Sequence, residues 1–203
     1  MSTKERILDS ALQLFNSDGV ENITTRHIAK LMGISQGNLH YHYPNRNAVI
    51  AALFHQFLKE VQNAERFKSA SFKKEDVIGS MRDNFKIMLR YRFLFKDNEV
   101  VWRRLPVIKK KTLELFALKQ KQILQIIALY RDEGIFREDI SESQIHFLSE
   151  QFIFTITSWL GAKEYMDEEQ NISEYYAQFL FRTWLPYLKN DEMKKWEEIL
   201  SFI

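Results

Sequence analysis

The sequence predicts an all-α protein, on three observations. Glycine and proline are scarce, six and three among 203 residues, so helices can run long and a turn-rich β fold is disfavoured. Apolar residues recur at three- and four-residue spacing along most of the chain, the period of helices that bury one face. Helix-start signals precede several of these stretches: Ser2 with Glu5, and Ser141 with Gln144, are spaced as capping boxes. No segment alternates convincingly as a strand, and there is no internal repeat or low-complexity tract.

Composition narrows the function classes. Hydrophobic residues make up 45% of the chain, enough for a packed core and against disorder. The absence of cysteine excludes disulfides, thiol catalysis and thiolate metal sites, and suits a reducing cytoplasm. The start, Met1 to Arg6, is charged and leads into no long apolar run, so no signal peptide is expected. No segment approaches the roughly 20 apolar residues of a membrane span. A soluble, cytoplasmic protein without a membrane partner is the expectation. The formal net charge of +2 is uninformative, but its distribution is not. Residues 22–47 hold Arg26, Lys30 and Arg46, three of the five histidines (His27, His40, His42), and no acid. Such a stretch beside a mixed-charge remainder suits a polyanion.

The first helix reads over residues 3–17, with Ile7, Leu8, Ala11, Leu12, Leu14 and Phe15 on one stripe. Asp18 and Gly19 stop it. The second reads over 25–32, with Thr24 as N-cap and Gly33 as stop, and the third over 36–41, with Ser35 as N-cap. Pro44 forbids its continuation. A fourth helix, over 45–67, carries Val49, Ile50, Leu53, Phe54, Phe57, Leu58 and Val61, and the boundary between a small and a larger domain is placed near residue 47. Further helices are expected over 74–89, from 106 or 107 to 133, over 141–166, over 173–185 up to Pro186, and over 191–202. Residues 90–96 form a basic, aromatic stretch.

Two short helices joined by Met32-Gly33-Ile34-Ser35 match a helix-turn-helix, whose turn is three to four residues and contains glycine. Ala29, Gly33, Ile34 and Leu39 are the small and aliphatic residues that lock the pair. Gln36, Asn38, His40 and Tyr41 surround the single apolar Leu39, so most of the third helix has no core to face. A polar second helix of this kind is what enters a major groove.

Residues 4–54 resemble the DNA-binding region of the TetR family of transcriptional regulators. The resemblance rests on Ile7, Leu8, Ala11, Leu14, Phe15 and Gly19, then on Thr24-Thr25-Arg26, Ile28-Ala29, Gly33-Ile34-Ser35, Gly37-Asn38-Leu39, Tyr41, Tyr43 and Arg46. It implies an N-terminal three-helix DNA-binding domain, residues 1–47, and a larger helical ligand-binding and dimerisation domain, residues 48–203. By the same resemblance Arg26 reaches a base edge, commonly guanine, and Gln36 reads a base, with an amide suited to adenine. Thr25, Asn38, Tyr41, His42 and Arg46 match positions that contact phosphates, and Gly37 lies among them. His40 and His42 depart from the aromatic residues usual there; His40 contacts a base or a phosphate, and both are either neutral rings donating one hydrogen bond each, the favoured reading, or charged at a phosphate, which would make binding pH-dependent.

Beyond the N-terminal region the resemblance implies a homodimer, double-stranded operator DNA as partner, and an unidentified small, apolar or amphipathic effector. No cofactor, metal or catalytic residue is expected. Phe85, Met88, Phe93, Trp102, Phe116 and Phe154 are candidates to line a ligand cavity, although most aromatic residues of such a domain are plain core. The stretch from Arg90 to Asp97 resembles a subgroup of the family but names no ligand. The helix from Ile145 is apolar on more than one side, which suggests a partner. Ile145, Leu148, Phe152 and Trp159, with Tyr176 and Phe179 on the next helix, are the expected dimer interface. The common family mode, repression with ligand-induced release, is the leading expectation. Two rivals stay open: a helical carrier or enzyme that retains the N-terminal fold, which no paired carboxylates or nucleophile supports, and a DNA-binding protein governed by a protein partner.

Overall fold

The computed structural model describes residues 1–66, 73–162 and 172–202. In chain order the helices are α1 (Thr3–Asp18), α2 (Thr25–Met32), α3 (Gln36–His42), α4 (Arg46–Arg66), α5 (Lys74–Arg90), α6 (Phe93–Lys96), α7 (Asn98–Arg104), α8 (Pro106–Asp132), α9 (Glu142–Ala162), α10 (Ile172–Arg182) and α11 (Asn190–Phe202), with a 3-10 turn at Leu185–Tyr187. The described residues contain no strand, only an isolated antiparallel bridge between Phe136 and Leu188. None of their helices is long and apolar enough to cross a membrane. The expected ends at residue 67 and at 163–166 lie outside the described residues. The sequence predicts neither α6 nor α7, and it runs the tenth helix too far. α10 ends at Arg182, where the Thr183 N–H is shared between the carbonyls of Phe179 and Leu180, before Pro186 is reached.

Contacts divide the chain into two compact units, Met1–Gln62 with Ile87–Thr112, and Asn63–Lys86 with Leu113–Ile203. In the first unit, Ile7, Leu8, Ala11 and Phe15 of α1 are buried together with Ile28, Ala29, Leu39, Val49, Ile50 and Leu53. Phe57 of α4 stacks edge-on against Tyr91 and Phe95, ring centroids 5.7 and 5.6 Å away. The Tyr91 hydroxyl donates to Glu60 at 2.7 Å. Burial, and then that carboxylate, push the phenol well above its ordinary pKa.

The second unit is built on aromatic contacts. Phe85 of α5 meets Trp159 of α9 edge-on at 4.9 Å, and Trp159 meets Tyr176 of α10 at 4.6 Å. Phe181, Trp184 and Trp196 form a second cluster, with Phe181 5.2 Å from Trp184 and 5.5 Å from Trp196. Ile145, Leu148, Phe152, Ile156 and Trp159 are all buried along one face of α9.

That placement corrects the expected dimer surface. Ile145, Leu148, Phe152, Trp159 and Tyr176 are consumed by the chain's own core and have no area left for a partner. The apolar residues that α9 and α10 leave exposed are Phe147, Phe154, Tyr175 and Phe179. Of the expected cavity residues, Phe154 is 72% exposed and lines no interior. Met88 and Phe93 are buried in the first unit and Phe85 in the second, while Trp102 and Phe116 are half-buried.

Candidate nucleic-acid interface

Local chemistry sets the pose of α2 and α3. Thr24 caps α2, its hydroxyl accepting the His27 N–H, while the His27 ring faces back to the Thr24 N–H and stands in for the usual Glu or Gln of a capping box. Gly33 closes α2 at φ 66°, ψ 29°, left-handed geometry that glycine adopts without strain, and its N–H reaches Ala29 and Lys30. Two residues later the Ser35 hydroxyl accepts the Asn38 N–H and opens α3. Leu39 is fully buried and anchors α3. Its neighbour Tyr41 is 86% exposed.

Four sequence-predicted residues meet on the open side of this pair. Arg26 Nε donates to Gln36 Oε1 at 3.1 Å. Gln36 Nε2 lies 3.5 Å from His40 Nε2, which is also 3.3 Å from Thr25 Oγ1. One row therefore runs from Arg26 through Gln36 and His40 to Thr25. The amide's carbonyl faces a donor, so its NH2 is what faces His40. Gly37, Asn38 and Tyr41 are exposed beside the row, and His42 is half-buried with its ring edge-on to Tyr41 at 5.2 Å. No acid lies within this surface, because residues 22–47 hold none.

Arg46 sits differently from what its phosphate assignment implies. Its Nη1 donates to the carbonyls of Val20, Glu21 and Ile23 at 2.7, 3.1 and 2.8 Å. It therefore staples the link between α1 and α2 to the start of α4. Burial, then the nearby Arg104, lower its pKa from the ordinary arginine value, with Glu21 opposing. Sequence reasoning had no means to find this role, since the carbonyls lie more than 20 positions upstream. The same separation hides two other contacts: the Asn16 amide bridges the Arg90 carbonyl and the Phe93 N–H, and the Asp97 carboxylate accepts the Val20 N–H. Among the described residues no cluster of His, Asp or Glu is arranged to hold a metal ion.

A glycine-turned helix pair with an acid-free, hydrogen-bonding outer face defines a helix-turn-helix DNA-binding regulator. A family model described as bacterial regulatory proteins of the tetR family matches residues 7–53, and one described as bacterial transcriptional repressor, TetR, matches residues 53–195. The chain is 40% identical over 50 residues to the tetracycline repressor protein class D of Escherichia coli, a match covering 25% of this chain and 23% of that one. It is 29% identical over 93 residues to the biofilm operon negative regulator IcaR of Staphylococcus epidermidis, covering 46% and 44%. The matched stretch thus spans a quarter to a half of these relatives' length. A solved TetR-family regulator from Marinobacter aquaeolei superposes with TM-score 0.86 at 27% identity, covering 99% of this chain and 98% of that one. SmeT in complex with triclosan superposes with TM-score 0.63 at 21% identity over 95% and 94%, a likeness of fold alone. The second family model covers more than half of the chain, and this protein belongs to the TetR family of DNA-binding transcriptional regulators.

Proposed function

We propose that the protein is a homodimeric repressor of a two-fold symmetric operator, released by a small apolar or amphipathic ligand. The observation that carries DNA reading is the row of Arg26, Gln36, His40 and Thr25 on the exposed side of α2 and α3. Arg26 is the reader of guanine. Its Nε is held by Gln36, which orients the fork that bonds O6 and N7. Gln36 has its second lone pair and amide hydrogen for an adjacent adenine. Thr25, Gly37, Asn38, Tyr41 and His42 hold phosphates and fix register. Arg46 acts first by holding the link beneath the pair.

Dimerisation is supported by the apolar face left open on α9 and α10, with Phe147, Phe154 and Phe179 at 53%, 72% and 42% exposure. A second copy covers that face and sets two α3 helices roughly 34–36 Å apart, one turn of duplex. Release by ligand is supported by the family and by the triclosan-bound state of a solved neighbour in fold, SmeT. Ligand and operator affinities are then linked, each lowering the other by the same factor.

The test is a panel of operators with single base-pair changes. Arg26→Ala and Gln36→Ala each cost about 1–3 kcal/mol on the intact operator and lose discrimination at one base pair. Equal losses on operator and random duplex would contradict base reading by these two residues.

A further inference from the structure

Residues 19–24 link α1 to α2 and so carry the helix-turn-helix. They are gripped from two directions. Arg46, at the start of α4, holds the carbonyls of Val20, Glu21 and Ile23. From the junction of α6 and α7, Asp97 Oδ2 accepts the Val20 N–H at 2.7 Å across 77 positions of sequence. Val20 is fully buried, and both its backbone groups end on a charged side chain. Gly19 admits the carboxylate. A Cβ there would stand 3.3 Å from Asp97 Oδ2, and its φ of 80° with ψ of 158° belongs to glycine.

Further contacts tie α1 and the α1–α2 link to residues 90–103. The Asn16 amide of α1 donates to the Arg90 carbonyl at 2.7 Å and accepts the Phe93 N–H at 3.1 Å, bridging the end of α5 to the start of α6. Arg103 of α7 pairs with Glu21 at 3.0 Å. Phe15 and Phe93 meet with ring centroids 5.3 Å apart. The α6–α7 segment is thus latched to the DNA-binding head at the α1–α2 link, although it lies outside the helix-turn-helix. Arg46 fixes the head to itself; Asp97 fixes it to something else.

We propose that Asp97 is a positioning residue for DNA binding: through Val20 it ties the pose of α2 and α3 to the α6–α7 segment, so that a displacement of that segment displaces the recognition helix. A buried N–H stripped of its acceptor is costly, and a carboxylate acceptor is stronger than a neutral one, so the link follows Asp97 sooner than it releases it. The inference rests on the DNA-binding reading above.

The experiment compares the full-length wild type with Asp97→Ala and Asp97→Asn. It reads three quantities: helix content and melting temperature, hydrogen exchange of the Val20 amide, and affinity for a duplex that the wild type selects from a random pool, beside a random duplex of equal length. With helix content unchanged, Asp97→Ala exchanges Val20 at least about tenfold faster, because its hydrogen-bond acceptor is gone. It binds the selected duplex at least about tenfold more weakly and the random duplex within about threefold, since base readout depends on pose and phosphate contacts tolerate its change. Asp97→Asn, which keeps an acceptor oxygen, falls between, and it carries the comparison if Asp97→Ala is unfolded at the assay temperature. Unchanged affinity for the selected duplex, or equal losses on both duplexes that track the unfolded fraction, overturns the proposal. If the wild type selects no sequence, the DNA-binding reading fails, and the amide decides the latch alone: a Val20 amide no better protected in the wild type than in Asp97→Ala overturns it.

Discussion

Replacing Arg46 by alanine removes the one nitrogen that serves the carbonyls of Val20, Glu21 and Ile23. A guanidinium nitrogen offers two hydrogens, so the three contacts are worth about two full bonds, each about 1.5 kcal/mol for a charged donor. Water reaches the exposed Glu21 contact and returns part of the loss there, but the Val20 and Ile23 contacts are part-buried. The expected destabilisation is about 3 kcal/mol, which for a chain of this length lowers the melting temperature by about 6–12 °C. A residue that only held a phosphate would behave differently. Its removal would leave stability within about 0.5 kcal/mol and reduce the slope of log affinity against log salt by about 0.9. Thermal melting and a salt titration of DNA binding separate the two. An unchanged melting temperature with a flatter salt dependence would refute the staple and restore Arg46 to the phosphates.

Within the helix-turn-helix, Leu39→Ala empties a fully buried site and costs about 2–5 kcal/mol, whereas Tyr41→Ala, at 86% exposure, leaves melting unchanged and weakens DNA binding; denaturation and a binding isotherm read both. Gly33→Ala forces an alanine to φ 66°, with open space around its Cβ, so strain alone lowers stability by about 1 kcal/mol in chemical denaturation. Phe154→Asp puts a charge into the face assigned to the second copy, and sedimentation should show monomer in place of dimer. Burial alone would raise the Glu192 pKa, but hydrogen bonds from Lys195, at 2.7 Å, and Lys74 outweigh it and hold the carboxyl below the ordinary 4.5. A depressed carboxyl stabilises the fold above 4.5 and loses that contribution as pH falls through its lower folded value. Glu192→Gln should therefore flatten the acid limb of the stability curve below pH 4.5; an unchanged limb would rule the group out.

The N-terminal helices were legible because their signals are local. Ser2, Thr24 and Ser35 cap within three residues of themselves, and Gly33 terminates α2 by its own φ. The row from Arg26 to His40 was legible as residue types, and the structure adds that they touch. α7 was not legible, since seven residues with only Val101 buried present no stripe to read. The outward face of α9 was misread for a physical reason. When a helix is apolar on two sides, the most regular stripe goes to the nearest core, here Ile145, Leu148, Phe152 and Trp159, and the sparser remainder, Phe147 and Phe154, is left outside. The roles of Asn16, Arg46 and Asp97 depend on backbone partners 23 to 77 positions away, which spacing does not encode.

Sequence-specific, two-fold DNA binding is read most directly by selection from a random duplex pool followed by footprinting, at one stated salt near physiological. The expected result is a palindromic site protected on two half-sites roughly 34–36 Å apart, bound at least about a thousandfold more tightly than random duplex. No enriched sequence would contradict it.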